Sequence, residues 1–542
     1  MRLPLLSIVF VWALAWPVAA HSSVEGRWIG GIQGGHGVVA VDIRFSTTAA
    51  GLSAAIDIPQ QGAAGLALRD IDVRGDRVRF GLPSGRGALW FEGRLDGRGR
   101  LAGSVRLGPG SHAPFELLKL ATPTTDDLRG VFGTYTWGKG DVLLIAPSGT
   151  GAVYVDYSTG RTGDLFAVGR DRFVGGATVA TGYPIAMELD LARGPNDDVM
   201  TATMRRGKEA VTVRRERFYR QEEVTFTSGD VTIAGTLLLP SGAGPHPALV
   251  MSHGSGDVTR DALRHSADHF ARHGIAVLIT DKRGSGRSTG SWRHATFDDL
   301  ASDALAGVHF LRARHDIQQA AIGLHGASQG GWVAPLAASR SRDVGFVIVE
   351  SAPTITPLQH ERLRVESQLR ADGFGQKEIA QALAFMDLKF EVARSGTGWP
   401  RIEAAVREAT ERAWLAYTNP PASLAALRWD WEHIFEFDPM PVLSRLDVPV
   451  LALYGARDSI VPARVHQSRM AGALGEGRRT NVTVDVFETA NHGFLEAVTG
   501  GRREAAQLTS FVDGYFDRRT AWVLDAARSA ATGTAVAAND AR

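Results

Sequence analysis

A serine stands between two glycines in the segment Gly326-Ala327-Ser328-Gln329-Gly330. The apolar run AAIGLH precedes this segment and the alanine-rich run GWVAPLAAS follows it. A strand, a sharp turn and a helix in this order expose a serine hydroxyl as a nucleophile, provided that its neighbours are small. The N-terminal N–H groups of the following helix point at the same place. The pattern therefore predicts that Ser328 attacks an acyl carbon.

A second Gly-x-Ser-x-Gly motif occurs at Gly286–Gly290 and contains Ser288. The chain has 62 glycines among 542 residues, so such a match also arises by chance. No strand comes directly before Ser288, because the glycine-rich stretch DKRGSG intervenes. We therefore predict that Ser288 lies in a loop and that Ser328 is the nucleophile.

A serine hydroxyl is a weak nucleophile near neutral pH, so it needs a base and an acid that orients the base. After Ser328, the apolar strand PVLALYGA leads to Asp458, and the strand VTVDVFE leads to His492. Both residues lie just past strand ends, where sites gather in open α/β sheets. The order predicts Asp458 and His492 as the partners of Ser328. Asp447 and Glu488 are alternative acids, but one precedes its strand and the other lies within or at the end of one.

Acyl transfer also needs N–H donors for the developing oxyanion. The N–H group after the nucleophile belongs to Gln329, and it is the first predicted donor. The second is predicted in the segment HGSG (His253–Gly256), which follows the strand PALVMS. Ser255 supplies that N–H in the preferred assignment, and Gly254 is the alternative.

Composition sets limits on the rest of the chain. A length of 542 residues predicts several domains, and 44% apolar with 22% charged residues is typical of a globular protein. A formal net charge of +1 gives no overall attraction to nucleic acid, which we do not expect as a partner. The absence of cysteine excludes disulfides, thiolate catalysis and cysteine-ligated zinc.

Residues 1–20 have one arginine, a short apolar core and the small residues Val18-Ala19-Ala20 at the end. This layout predicts a secretory signal cleaved after Ala20 and a periplasmic or secreted protein; an uncleaved anchor is the alternative. No later stretch is apolar for long enough to span a bilayer, so we expect no stable span after cleavage.

The remaining chain divides into segments that differ in their pattern of apolar and polar residues. Residues 24–121 and 125–218 contain short alternating runs between glycine-rich turns, which predicts two β-rich units of barrel or sandwich type. In residues 222–518, apolar strands alternate with helices, as in a parallel sheet covered on both faces. A helical insertion at about 354–446 is predicted to cap the sheet, with aromatic residues between Trp429 and Phe437 that line a pocket or pack the cap itself. The alanine-rich residues 519–542 are expected to form a fraying tail.

His265, His269 and His273 recur every four residues and would share one helix face. Such spacing can hold a metal ion, but apolar neighbours and the lack of a clearly placed carboxylate favour a structural role. We therefore predict no metal site and no organic cofactor.

Residues 222–518 resemble the α/β-hydrolase superfamily. The resemblance rests on HGSG (253–256), DKRGSGRSTG (281–290), GASQGG (326–331), GARDSIVP (455–462) and NHGF (491–494). It is closest to bacterial esterases and acyl hydrolases near the prolyl-oligopeptidase and dienelactone-hydrolase branches. The resemblance implies an α/β-hydrolase sheet with a helical cap, preceded by the β-rich region, and a triad of Ser328, Asp458 and His492.

These observations predict an exported serine hydrolase that cleaves small carboxylic esters through an acyl-enzyme. A peptidase of the prolyl-oligopeptidase type or a thioesterase is the nearest enzymatic alternative. A third hypothesis is a non-catalytic envelope protein whose β-rich front binds a ligand. The sequence does not set an oligomeric state.

Overall fold

The computed structural model describes residues 24–540 except 36, 50, 86, 109 and 476–481. The predicted signal segment 1–20 therefore lies outside the described residues. The fold divides into two compact units: residues up to Ile58 with Ala63–Leu120 form the first, and Pro59–Gly62 with the chain from Ala121 onward belongs to the second.

The first unit is a sheet of nine antiparallel strands within the described residues, in the order β4-β3-β2-β1-β9-β8-β7-β6-β5. Alternate side chains along each strand face one apolar core, in which Phe80 stacks on Phe91 with ring centroids 4.7 Å apart. The strands are β1 (Gly26–Gly34), β2 (Gly37–Thr48), β3 (Gly51–Ile58), β4 (Ala63–Ala67), β5 (Arg69–Arg74), β6 (Arg77–Ser84), β7 (Gly87–Leu95), β8 (Arg100–Gly108) and β9 (Ser111–Lys119).

The second unit begins with a short helix, α1 (Thr125–Arg129), and a closed barrel of strands β10–β17. Tyr135, Tyr154 and Phe173 are buried inside this barrel. The sequence left barrel and sandwich open for residues 125–218, and the structure has the barrel. Its strands are β10 (Gly133–Trp137), β11 (Asp141–Ser148), β12 (Gly151–Asp156), β13 (Thr162–Ala167), β14 (Arg172–Thr178), β15 (Thr181–Arg193), β16 (Val199–Arg206) and β17 (Glu209–Glu216).

The α/β domain follows, with a sheet in the order β18-β19-β21-β20-β22-β23-β24-β25. Strands β18 and β19 are antiparallel to their neighbours, whereas β20 to β25 are parallel. The central strands are almost wholly apolar because helices cover both faces. The strands are β18 (Tyr219–Ser228), β19 (Val231–Pro240), β20 (His246–Ser252), β21 (Ala276–Thr280), β22 (Ile317–Ala327), β23 (Phe346–Glu350), β24 (Val450–Gly455) and β25 (Val482–Phe487).

Two hydrophobic clusters hold the helices on this sheet. Helices α3, α4, α9 and α10 pack in one cluster, and α2 and α11 pack in the other together with the outer face of the barrel. The helices are α2 (Arg264–Arg272), α3 (Phe297–Arg312), α4 (Gly330–Ala338), α5 (Pro357–Ala371), α6 (Gln376–Ser395), α7 (Trp399–Glu408), α8 (Leu424–Asp430), α9 (Met440–Leu443), α10 (Ala463–Leu474) and α11 (Tyr515–Asp540).

Helices α5–α9 lie between β23 and β24 and form the predicted cap. Residues of α5, α6, α7 and α8 share a hydrophobic core of their own, which includes Phe390, Trp414 and Phe435. Phe437 instead packs edge-on against Phe297 of the α/β domain, with ring centroids 5.0 Å apart. Of the two roles considered for the aromatic residues of the cap, the packing role is the one that Phe435 and Phe437 have.

The prediction that residues 519–542 form a fraying tail is wrong for the first part of that segment. Helix α11 begins at Tyr515, and Tyr515, Arg519, Val523 and Ala527 are all buried at four-residue spacing. One face of the helix therefore belongs to the core, although its alanine-rich composition suggested fraying. Within the described part of the chain, no helix combines the length and apolarity that a membrane crossing needs.

Candidate active site

Ser328 lies in the turn between β22 and α4. Its φ angle is +54°, in the left-handed region that residues other than glycine rarely adopt. Its N–H donates to the main-chain oxygen of Glu350, at the end of β23, over 2.9 Å. Such strain persists only where surrounding contacts hold it, and it occurs mostly at functional sites.

Two glycines of the motif are required by close packing. A Cβ atom on Gly326 would lie 2.0 Å from the oxygen of Gly330. A Cβ atom on Gly330 would lie 2.8 Å from the oxygen of Ser252. The turn therefore closes only with glycine at both positions, which explains the Gly-x-Ser-x-Gly pattern physically.

Ser288 has a different environment. It lies between β21 and α3, outside any strand or helix, as the sequence predicted. Its buried Oγ accepts the N–H of Ala234 over 2.9 Å and donates to the oxygen of Asp281 over 2.8 Å. Both hydrogen bonds hold the loop in place, so this hydroxyl has a structural role.

Asp458 and His492 form a direct pair. His492 Nδ1 lies 2.8 Å from Asp458 Oδ2. The other carboxylate oxygen, Oδ1, accepts the N–H groups of Ile460 and Val461, each over 2.8 Å. Because these bonds fix the carboxylate, the proton of the imidazole belongs on Nδ1, and Nε2 is left to accept a proton.

The surroundings adjust the basicity of His492. Burial lowers the pKa of His492, but the charge of Asp458 and its hydrogen bond raise it by more. The net result is a pKa above the usual value for histidine. The pair therefore stabilises the imidazolium that forms when the ring takes a proton.

Ser328 and His492 line the same cavity, which has a volume of about 590 Å³ and is called the site cavity below. Within the described residues, no hydrogen bond joins Ser328 Oγ to the His492 ring. Catalytic hydrogen bonds are often long without substrate and shorten in the reacting complex. The structure thus brings all three predicted triad residues to one edge of the sheet, with the His492–Asp458 contact formed.

The two alternative acids are badly placed. Asp447 lies before β24, at the amino end of the strand whose carboxyl end leads to Asp458. Glu488 directly follows β25 and is exposed to solvent. Asp458 is the carboxylate in contact with His492.

The predicted oxyanion donors belong to the residue after Ser328 and to the HGSG loop. Gln329 is the N-terminal cap of α4, and helix N-termini leave N–H groups free. Across the described residues, the N–H groups of Gln329 and Ser255 donate to no protein acceptor. A Cβ atom on Gly254 would lie 3.6 Å from Ser328 Cβ, so the HGSG loop reaches the nucleophile.

Lys282 forms hydrogen bonds to both of these donor segments. The sequence analysis did not identify this residue. Its Nζ donates to the oxygen of Gly254 over 3.0 Å and to Gln329 Oε1 over 2.7 Å. Burial lowers the pKa of Lys282 to about 8. The residue follows the end of β21 by two positions, so the rule that identified Asp458 and His492 also applied to it.

A buried ion pair lies below the nucleophile turn. Glu350 Oε1 accepts from Arg519 over 2.9 Å, and Glu350 Oε2 accepts from Tyr515 Oη over 2.9 Å. Burial raises the pKa of Glu350, but the charge of Arg519 and the contacts with Arg519 and His325 lower it by more, so Glu350 is ionised. Since the main chain of Glu350 also holds the N–H of Ser328, the pair supports the nucleophile from below.

Replacing Arg519 with leucine should destabilise the protein by about 3–5 kcal/mol, because Glu350 would be left buried without its counter-charge. Urea unfolding at pH 7 measures the effect. Arg528→Leu, at an exposed position of the same helix, should change stability by less than about 0.5 kcal/mol. Glu350→Gln in the Arg519→Leu background should restore part of the loss. Equal stabilities of the two arginine variants would contradict the role given to the pair.

His265 and His269 of α2, and His273 directly after it, make packing and hydrogen-bond contacts, and His265 also lines the site cavity. His269 Nδ1 lies 3.0 Å from Thr520 Oγ1, and His273 Nδ1 donates to the oxygen of His269 over 2.7 Å. His265 stacks on Phe511 at a centroid distance of 5.4 Å. Among the residues that the structure describes, no group of three or more His, Asp or Glu side chains could hold a metal ion.

Comparison with known proteins gives one family match and several relatives with hydrolase names. Residues 243–393 match the family described as serine aminopeptidase, S33. The esterase EstD of Thermotoga maritima is 25% identical over 305 residues, which are 54% of this chain and 66% of EstD. The thiohydrolase aneE of Aspergillus aculeatus is 33% identical over 152 residues, 28% of this chain and 45% of aneE. The matched regions thus span less than two thirds of either relative.

A third relative is the bifunctional esterase/perhydrolase DCH of Acinetobacter calcoaceticus, 25% identical over 226 residues, 39% of this chain and 74% of DCH. The solved structure of the Pyrococcus furiosus esterase Pf2001 aligns with 57% of this chain and 93% of its own at 16% identity, with a TM-score of 0.37. The sheet order, the family match and the sequence relatives together support an α/β-hydrolase fold for the region that follows the barrel.

Proposed function

We propose that the protein is an exported serine hydrolase that cleaves carboxylic esters through an acyl-enzyme. The observation that carries the proposal is the 2.8 Å contact between His492 and Asp458, in a cavity that also contains the strained Ser328. The names of the relatives, which include an esterase and a thiohydrolase, support an acyl substrate. Export rests on the signal-like residues 1–20.

The reaction follows from the roles of these groups. Ser328 Oγ attacks the acyl carbon while His492 Nε2 takes its proton, and the oxyanion accepts the N–H groups of Gln329 and Ser255. The imidazolium then protonates the departing alcohol, leaving an ester on Ser328. A water molecule gives a proton to His492 and attacks this ester. The acid leaves, and Ser328 regains its proton.

A panel of substrates tests the proposal on the whole protein. We expect p-nitrophenyl acetate and butyrate to be hydrolysed with higher kcat/KM than aminoacyl p-nitroanilides or an acyl thioester. The aminoacyl compounds are included because the matched family is described as serine aminopeptidase. Faster cleavage of the anilides or the thioester would replace the ester assignment by a peptidase or a thioesterase.

Covalent labelling separates catalysis from ligand binding. A fluorophosphonate reacts with an activated serine, so we expect one label per chain and complete loss of ester hydrolysis at full labelling. A chain that takes no label and cleaves no substrate would instead support the non-catalytic binding protein.

A further inference from the structure

Strand β12 of the barrel β10–β17 has packed apolar side chains on both of its faces. Ala152 and Tyr154 point into the core of the barrel. Val153 and Val155 lie between and beyond them, so they point outward, because successive side chains of a strand alternate. An outward face of a small barrel is ordinarily wet, but both valines pack against the cluster that contains α2 and α11.

The neighbouring strand has the same property. On β11, Leu143 and Ile145 belong to the barrel core, whereas Leu144 and Ala146 pack against the α/β domain. The barrel is therefore apolar on both faces at β11 and β12. This surface does not end at the contact with α2 and α11, because it continues into the wall of the site cavity.

Part of the wall of the site cavity comes from the barrel. Among the residues that line this cavity are Ala146, Val153, Val155, Thr162 and Val179. In the described part of the chain, no lining residue comes from the cap helices α5–α9. The cap helices, which were predicted to cover the substrate, therefore do not line this cavity, whereas the barrel does.

Backbone hydrogen bonds fix the position of this wall. The N–H of Thr162 donates to the oxygen of Thr509 over 3.1 Å, and the N–H of Val179 donates to the oxygen of Leu508 over 2.7 Å. In return, the N–H of Phe511 donates to the oxygen of Gly160 over 2.9 Å. The barrel is thus hydrogen-bonded to the segment that follows the His492 loop.

Side chains add two hydrogen bonds to helix α2, one partly buried and one buried. Tyr157 Oη donates to the oxygen of His265 over 2.6 Å. Thr134 Oγ1 donates over 2.6 Å to Asp268, whose carboxylate also pairs with Arg272 at 2.9 Å. Because the wall is held by directional bonds at both ends, its shape is set before substrate enters.

We propose that the barrel is the specificity element of the enzyme, and that Val153 limits the size of the apolar substrate group held in the site cavity. This inference rests on the proposed ester hydrolysis at Ser328. A volume of about 590 Å³ suits a group much larger than acetyl, and the wall is apolar. The exposed carboxylates of Asp164 and Asp257 at the lining disfavour an anionic substituent.

Two series of substrates test the proposal and tell which side of the ester enters the cavity. One series is p-nitrophenyl esters from acetate to decanoate, and the other is acetate esters from ethyl to octyl. Val153→Trp should lower kcat/KM for the longest members of one series by about 10-fold or more relative to the shortest member of that series. Val153→Ala, which removes bulk and has less risk of misfolding, should move the preferred length upward in the same series.

The matched control is Val211→Trp on β17, because Val211 is 36% exposed and lies away from the site cavity. It should leave both series unchanged. Equal losses for short and long substrates in Val153→Trp, together with an unchanged length preference in Val153→Ala, would overturn the proposal. Failure of the wild type to cleave any ester would instead reject the proposed function, so the two failures are distinguishable.

Discussion

Ser328→Ala should lower kcat for ester hydrolysis by about 10⁶-fold, close to the rate without a catalytic triad. Alanine differs from serine only by the hydroxyl, and it meets the same backbone strain at φ +54°. The substitution therefore tests the nucleophile with little effect on the fold. Hydrolysis of p-nitrophenyl acetate measures the loss, and fluorophosphonate labelling should disappear.

Ser288→Ala is the matched control, since it removes the serine of the other Gly-x-Ser-x-Gly motif. It deletes two buried hydrogen bonds to Ala234 and Asp281 and should cost about 1–3 kcal/mol of stability. Labelling at one fluorophosphonate per chain should persist. If label were lost in Ser288→Ala and kept in Ser328→Ala, the assignment of the nucleophile would be reversed.

Asp458→Asn should lower kcat by about 10⁴-fold through the tautomer of His492. The N–H groups of Ile460 and Val461 would hold the amide oxygen where Oδ1 now lies, so the amide nitrogen would face Nδ1 of the imidazole. That nitrogen donates, which moves the ring proton to Nε2 and prevents His492 from accepting the proton of Ser328. Steady-state kinetics of purified protein measure the loss, with circular dichroism to verify the fold.

The same substitution should move the acidic limb of the pH profile. In the wild type, kcat/KM rises with pH as His492 loses its proton, and Asp458 holds the pKa of His492 above its usual value. Without that charge the pKa falls, so the residual activity of Asp458→Asn should reach its plateau at lower pH. A limb that stays in place would show that Asp458 does not set the protonation of His492.

Much of the site followed from local patterns in the sequence. Ser328, Asp458 and His492 each come shortly after an apolar run, and parallel strands bring such positions to one edge of a sheet. The glycines of the nucleophile turn were recognisable because their close packing leaves no room for a side chain. The β-rich character of residues 125–218 and the parallel sheet likewise followed from alternating and continuous apolar runs, whereas the choice between barrel and sandwich did not.

Other contributions depend on pairings that a sequence does not display. Glu350 and Arg519 meet across 169 residues, and an arginine in an alanine-rich stretch suggested an exposed tail. In the sequence, Lys282 is one basic residue of a glycine-rich loop, and only the structure shows its acceptors, Gly254 and Gln329. Both cases concern charged residues whose burial is decided by a distant partner.

One segment of the sequence does indicate that part of the barrel is covered on its outer face. The run LLIA (143–146) in β11 is continuously apolar, and continuous runs indicate strands covered on both faces. This run departs from the alternating pattern on which the prediction of a β-rich unit was based, and both faces of β11 are indeed covered.

The shared use of Val153 and Val155 has an evolutionary consequence. The same two side chains shape the cavity and complete the contact that joins the barrel to α2 and α11. A mutation that widens or narrows substrate range at these positions also alters the adhesion between the two folds. Adaptation to a new substrate would thus require compensating changes in the neighbouring helices. We therefore expect the barrel and the α/β sheet to evolve together.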